Sequence, residues 1–113
     1  MDDRVGTLRE LHRVLRPGGR LVMSTHHPME DFLRLGGSYF DVEVLEEVWQ
    51  GNWEVRFWRQ PLTATCAEIA EAGFVIERLV EPRPLPAMAQ SHPEEYERLS
   101  TRPGFLMFRL LPR

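Results

Sequence analysis

This 113-residue sequence predicts an α/β domain, and three observations predict it. An amphipathic helical stretch stops at Pro17-Gly18-Gly19 and gives way at once to the apolar run Leu21, Val22, Met23. A second helical stretch stops at Gly73, directly before Phe74, Val75 and Ile76. A third apolar run, Phe105, Leu106, Met107 and Phe108, follows the turn Pro103-Gly104. Helices alternating with short apolar runs are the pattern of one sheet with covering helices.

The elements follow in order. Val5, Leu8, Leu11, Val14 and Leu15 recur at helical spacing, with Asp2 and Asp3 at the positive dipole end and Arg13 and Arg16 at the negative end. This predicts a helix over residues 3–15. Pro17 cannot continue it, and Gly18-Gly19 offer the positive φ values of a tight exit. Residues 21–25 lack charge and read as a strand covered on both faces. His26-His27-Pro28 ends that strand, because proline lacks the ladder donor. Phe32, Leu33 and Leu35 before Gly36-Gly37-Ser38 predict a short helical turn and then a flexible joint.

Residues 39–59 carry all three tryptophans. Val42, Val44, Val48 and Trp49 precede Gln50-Gly51-Asn52, after which Trp53, Val55 and Phe57 alternate with Glu54, Arg56 and Trp58. Two β-prone runs around a three-residue link predict a hairpin. Thr65 and Glu68 stand at capping-box spacing before a helix over 64–72 that Gly73 stops. Phe74–Val80 reads as a second strand, 82–93 as an irregular proline-rich loop, 93–99 as a short helix and 105–111 as a third buried strand.

Composition narrows the function classes. Apolar and charged residues make up 42% and 27% of the chain, the balance of an ordinary folded domain. A net charge of −3 with scattered Lys and Arg leaves no basic stripe, so nucleic acid is not the expected partner. No apolar run reaches the length of a membrane span, so no membrane partner is expected. The single cysteine, Cys66, forms no intrachain disulfide, and acidic Asp2-Asp3 stand where a secretory signal would be basic; a cytoplasmic location is the expectation.

The run Glu10, Arg13-Val14-Leu15, Pro17-Gly18-Gly19 and Leu21, followed at a distance by Ala72-Gly73-Phe74 and Pro103-Gly104-Phe105, resembles the C-terminal half of class I S-adenosylmethionine-dependent methyltransferases of the small-molecule type. The resemblance covers nearly the whole chain. It implies a partial Rossmann-like sheet made of the family's last three strands, with the terminal strand antiparallel between the other two. Flanking helices and the 39–59 hairpin, as an insertion within a single domain over 1–113, complete it. It also implies S-adenosylmethionine as cofactor. The family's glycine-rich turn and ribose-binding acid have no counterpart here, since neither Gly18-Gly19 nor Gly36-Gly37 follows a strand and opens a helix. The expected cofactor-binding residues in this fragment are therefore none, and the isolated chain is expected to be inactive. A shortened sheet leaves the strand over 21–25 with a bare edge, so a homodimer through that edge is expected.

No catalytic residue is assigned from the sequence, and methyl transfer by in-line displacement often needs only positioning. The substrate-side candidates are His26, His27, Tyr39, Trp58 and Glu81. His26 and His27 end a strand where the resemblance places substrate contacts, but neighbouring strand residues point to opposite faces, so at most one faces a site. The alternative is a loop pair shaped by Pro28. Tyr39, Phe40, Trp49, Trp53, Phe57 and Trp58 could line an acceptor pocket or bury one hairpin face. Burial is favoured for Trp53 and Phe57, and the pocket for Trp58 beside Arg56. Glu81, before Pro82 at a strand end, contacts substrate or is a solvated carboxylate. Glu94, Glu95 and Glu97 read as an exposed helix face. His12, His26, His27, His92 and Cys66 lack zinc-type spacing, so no metal is expected. Cys66 reads as a packed helix residue. Two rival functions remain: a non-catalytic ligand-binding or dimerisation module built on the aromatic hairpin, and a small metal-dependent enzyme.

Overall fold

The structure, a computed structural model, describes residues 3–49 and 51–113. Asp2 and Gln50, used above for the first helix and the hairpin link, lie outside the described residues, as does the side chain of Trp49. The element order is α1 (Arg4–Val14), β1 (Leu21–His26), α2 (Pro28–Leu35), β2 (Glu43–Trp49), β3 (Trp53–Arg59), α3 (Leu62–Glu71), β4 (Phe74–Val80), α4 (Met88–Ser91), α5 (Pro93–Thr101) and β5 (Phe105–Pro112).

Asp3 caps α1 by accepting the Gly6 N–H at 2.8 Å. Of the glycine pair after it, Gly18 alone adopts positive φ, at 80°. The capping box expected at Thr65 and Glu68 does not form. Helix α3 begins earlier, at Leu62, with Pro61 extended before it and no side-chain cap. Glu68 is instead held by Arg4 and Gln60, and Thr65 accepts from Gln60. Gly73, at φ 93°, ends this helix where the His12 ring lies 3.3 Å from the position a Cβ would take, so both conformation and space call for glycine. The loop expected over 82–93 contains the short helix α4.

The main sheet has the order β1-β5-β4. β5 lies between the other two and runs antiparallel to both, pairing Val22 with Arg109 and Ile76 with Leu110. Its alternate residues Leu106, Phe108 and Leu110 are buried with Leu8 of α1, Ile69 of α3, and Phe74 of β4. The period of two sends Phe105, Met107 and Arg109 to the opposite face. That face corrects the expectation of strands covered on both sides: Val22 is 58% exposed and Met107 and Val75 are exposed as well. Among the described helices α1 and α3 supply the core's helical side chains, all to one face of the sheet, so β5 has one buried face and β1 only the half-buried Leu21 and Met23 against it. A bulge between Ile76 and Arg78 turns Glu77 out to accept from Arg20 and Arg109, which lower its carboxyl pKa. Among the described residues β1 pairs with β5 only, so its other edge is bare.

Strands β2 and β3 form a separate hairpin from Glu43↔Arg59 to Trp49↔Trp53. Arg59 ties it down. Its buried guanidinium donates to the carbonyls of Gly36 and Ser38 and pairs with Glu43. The expected flexible joint at Gly36-Gly37-Ser38 is therefore clamped to the hairpin root.

Candidate functional site

The site grows from the end of β1. Successive residues there diverge, as a strand requires. His26 stays half exposed, with its ring edge-on to Phe57 and Phe105 at centroid distances of 6.4 and 6.1 Å. His27 turns inward and is buried. Its Nδ1 accepts the Met29 N–H at 3.1 Å and caps α2. Because Nδ1 accepts, the ring proton sits on Nε2, which donates to Glu81 at 2.7 Å. The predicted residues His27 and Glu81 are thus brought together across 54 positions of sequence, joining the start of α2 to the end of β4. Neither lines the two cavities beside His26.

The larger cavity, about 570 Å³, is bounded by α1, the end of β1, β3 and α3. Its walls include Leu11, Met23, His26, Asp31, Phe57 and Trp58. Trp58 is fixed by the Arg4 guanidinium, 4.2 Å from the ring centroid. Arg4 is itself held at 2.7 and 2.8 Å by the two carboxylate oxygens of Glu68, a bidentate geometry that orients the planar cation. Of the predicted substrate-side residues, the structure places His26 and Trp58 on this wall. Tyr39 lies elsewhere, edge-on to Phe32 and Phe40, and its hydroxyl accepts the Leu62 N–H at the start of α3. Phe57 is half-buried on the cavity wall. Trp53, near the hairpin tip, is 65% exposed, which corrects the expectation that it is buried. Cys66 packs against the core, and burial pushes its thiol pKa up, away from nucleophilic use. Among the described residues no group of three or more His, Cys, Asp or Glu is placed to hold a metal.

Asp31 was missed by sequence reasoning. It stands in the first turn of α2, where a carboxylate usually reads as complementing the helix dipole. Here its side chain is only 7% exposed, lines both cavities, and leaves Oδ1 without a hydrogen-bond partner among the described residues. His26 Nδ1 lies 3.9 Å away, beyond hydrogen-bonding distance. Desolvation raises the Asp31 pKa and outweighs the attraction of His26, Arg34 and Arg59, while Glu30 adds repulsion. The local pattern gave no signal, since His27, one helical turn earlier, bonds Glu81 and not Asp31.

The sign of the stability effect follows. A carboxyl whose folded pKa lies above its unfolded value contributes stability below the unfolded value and loses it as pH rises through the folded one. At neutral pH the buried Asp31 carboxylate is therefore a net cost, since desolvation outweighs the cations around it. Asp31→Asn is expected to be more stable than the parent by about 1 kcal/mol at neutral pH, with the gain shrinking as pH falls below the carboxylate range. Thermal melts of both proteins across pH check this, and a variant less stable at neutral pH would contradict it.

The described residues do not fit a nucleotide-type cofactor. The strand-to-helix turns at His27-Pro28, Gln60-Pro61 and 81–87 contain no glycine, so none offers the close backbone approach such a ligand needs. No family model matches the sequence, and no curated protein matches it. Solved structures do. An S-adenosylmethionine-dependent methyltransferase assignment from Listeria monocytogenes superposes with a TM-score of 0.75 at 18% identity, over 97% of this chain and 55% of that one. An S-adenosylmethionine-dependent methyltransferase from Mesorhizobium loti gives 0.68 at 22% identity, over 100% of this chain and 57% of that one. The chain thus spans little more than half the length of these structures, and its fold is that part of the methyltransferase α/β fold.

Proposed function

We propose that this chain is the acceptor-side part of an S-adenosylmethionine-dependent methyltransferase acting on a small molecule. One observation carries the proposal: the antiparallel terminal strand set between two parallel ones, in a chain that superposes along nearly its whole length on two methyltransferase structures. S-adenosylmethionine would supply the methyl group, from a site that the described residues do not build. This chain's own contribution is to receive and orient the acceptor. His26, Phe57 and Trp58 form the wall at the end of β1, which is where ligands bind in open α/β sheets. Titration of the 113-residue chain with S-adenosylhomocysteine in a calorimeter is expected to show no binding at micromolar affinity. Micromolar binding would mean that the chain carries the cofactor elements after all.

The bare edge of β1 supports a further part of this proposal, a homodimer formed by edge pairing. Light scattering at high protein concentration is expected to give twice the monomer mass, and a strict monomer would defeat it. The rival function, a ligand-binding module without turnover, is favoured by one observation, the pairing of an aromatic-walled cavity with strand-to-helix turns that lack glycine. It predicts ligand binding with no methyl transfer even when the cofactor half of the fold is supplied.

A further inference from the structure

Which ligand the larger cavity takes depends on the polar atoms that a ligand can reach, and most of those on its wall are spent or closed off. Both oxygens of Glu68 accept from Arg4, and Gln60 donates to Glu68 Oε1 and to Thr65. Nη1 of Arg4 and Oδ1 of Asp31 are shut away from solvent, and His26 Nδ1, 3.9 Å from that oxygen, offsets the Asp31 charge whenever the ring is protonated. With side chains only 18% and 7% exposed, Glu68 and Asp31 offer little to a positively charged ligand.

Arg56 is the exception. It is exposed, lines the cavity from β3, and shares a hairpin face with Trp58 two residues on. Glu46 stands opposite it in the register, but a guanidinium carries five donors, more than a single carboxylate takes up. The remaining wall is largely apolar, with Leu8, Leu11, Met23, Phe57 and Ile69. Leu11 is 38% exposed although it belongs to the apolar stripe of α1, which leaves surface for a ligand to cover. A volume of about 570 Å³ suits a molecule of small-metabolite size. One reachable guanidinium beside aromatic and aliphatic walls matches a single negative charge on a flat apolar body.

We propose that this cavity binds a small aromatic carboxylate, its ring against Leu11, Met23 and Phe57 and its carboxylate accepting from Arg56. Arg56 is then a ligand-anchoring residue. The identification of that acid as the methyl acceptor rests on the methyltransferase proposal, but the binding itself does not.

Hydrocinnamate is the probe, with phenethylamine as a body of similar shape and opposite charge. Binding to the 113-residue chain at neutral pH is read by tryptophan emission and by calorimetry. Hydrocinnamate is expected to bind saturably, and phenethylamine about fivefold more weakly or worse. Arg56→Gln alters an exposed hairpin residue and is expected to fold, which near-ultraviolet circular dichroism verifies. It should weaken hydrocinnamate about fivefold, the upper range for an ion pair that water still reaches, and leave phenethylamine no weaker. Leu11→Asn should weaken hydrocinnamate as well, because the ring lies on the α1 wall. Equal binding of the two probes, an unchanged hydrocinnamate affinity in either variant, or no hydrocinnamate binding at all would overturn the proposal. Methylation of an amine or alcohol by a cofactor-complete form, with no hydrocinnamate binding, would sink the carboxylate site and leave the enzyme proposal standing. Arg56-dependent hydrocinnamate binding, with no methylation of any acceptor in such a form, would do the reverse.

Discussion

Phe108→Ala is expected to cost about 3–5 kcal/mol, the range for truncating a fully buried aromatic to alanine. Phe108 is 1% exposed and sits in the middle strand of the sheet, opposite Met23 on β1 and Leu79 on β4. Truncation there opens a void where three strands and the overlying helices meet, and no neighbouring element is free to fill it. Domains of this size have total stabilities of the same order, so the variant should be largely unfolded at modest temperature. Urea denaturation followed by far-ultraviolet circular dichroism measures the loss. A cost below about 1 kcal/mol, less than that of removing a single well-packed methylene or two, would mean that β5 is not the centre of the core.

Arg59→Ala is the second large effect, expected at about 2–4 kcal/mol. The guanidinium is 5% exposed as a residue and supplies the donors for the Gly36 and Ser38 carbonyls. Its removal strands the Gly36 carbonyl, while the Ser38 carbonyl keeps the Asp41 N–H and Glu43, which is partly exposed, recovers water. Gly36 makes the loss local and specific. It has φ 75° and ψ −155°, a conformation that glycine alone adopts readily, and the arginine is what holds the chain in it. The hairpin root should loosen before the sheet does. Hydrogen exchange is expected to show faster exchange in β2 and β3 with little change in β5, and uniform protection would count against a clamp.

Much of the fold was legible because its signals are local. The proline and glycine stop after α1, the glycine at the end of α3 and the apolar runs of β1, β4 and β5 each act within a few residues, and all three strands came together in one sheet. The middle position of β5 followed from resemblance, since pattern alone does not order strands. What failed were statements about partners far along the chain. Thr65 and Glu68 had capping spacing, but Arg4 and Gln60 compete for the same oxygens. Trp53 looked buried by alternation, yet alternation says only which face a residue takes and not whether another element reaches it. The candidate site was legible at His26 and Trp58 and illegible at Asp31. That residue shares its two cavities with residues of β3 and the start of β5 as well as its own helix, and no helix-scale pattern records such neighbours. His27 and Glu81 were found as residues, though not as a pair, for the same reason.

The position of β5 bears on how the chain reaches this arrangement during synthesis. Residues 21–26 and 74–80 leave the ribosome well before 105–112, and they share no ladder except through that later strand. Neither strand can form its described ladder until the last of the three emerges, so both ladders of the main sheet close late and over long loops. Such connectivity is slow to form and leaves sticky intermediates, and chains stalled before residue 105 should be prominent clients of holding chaperones.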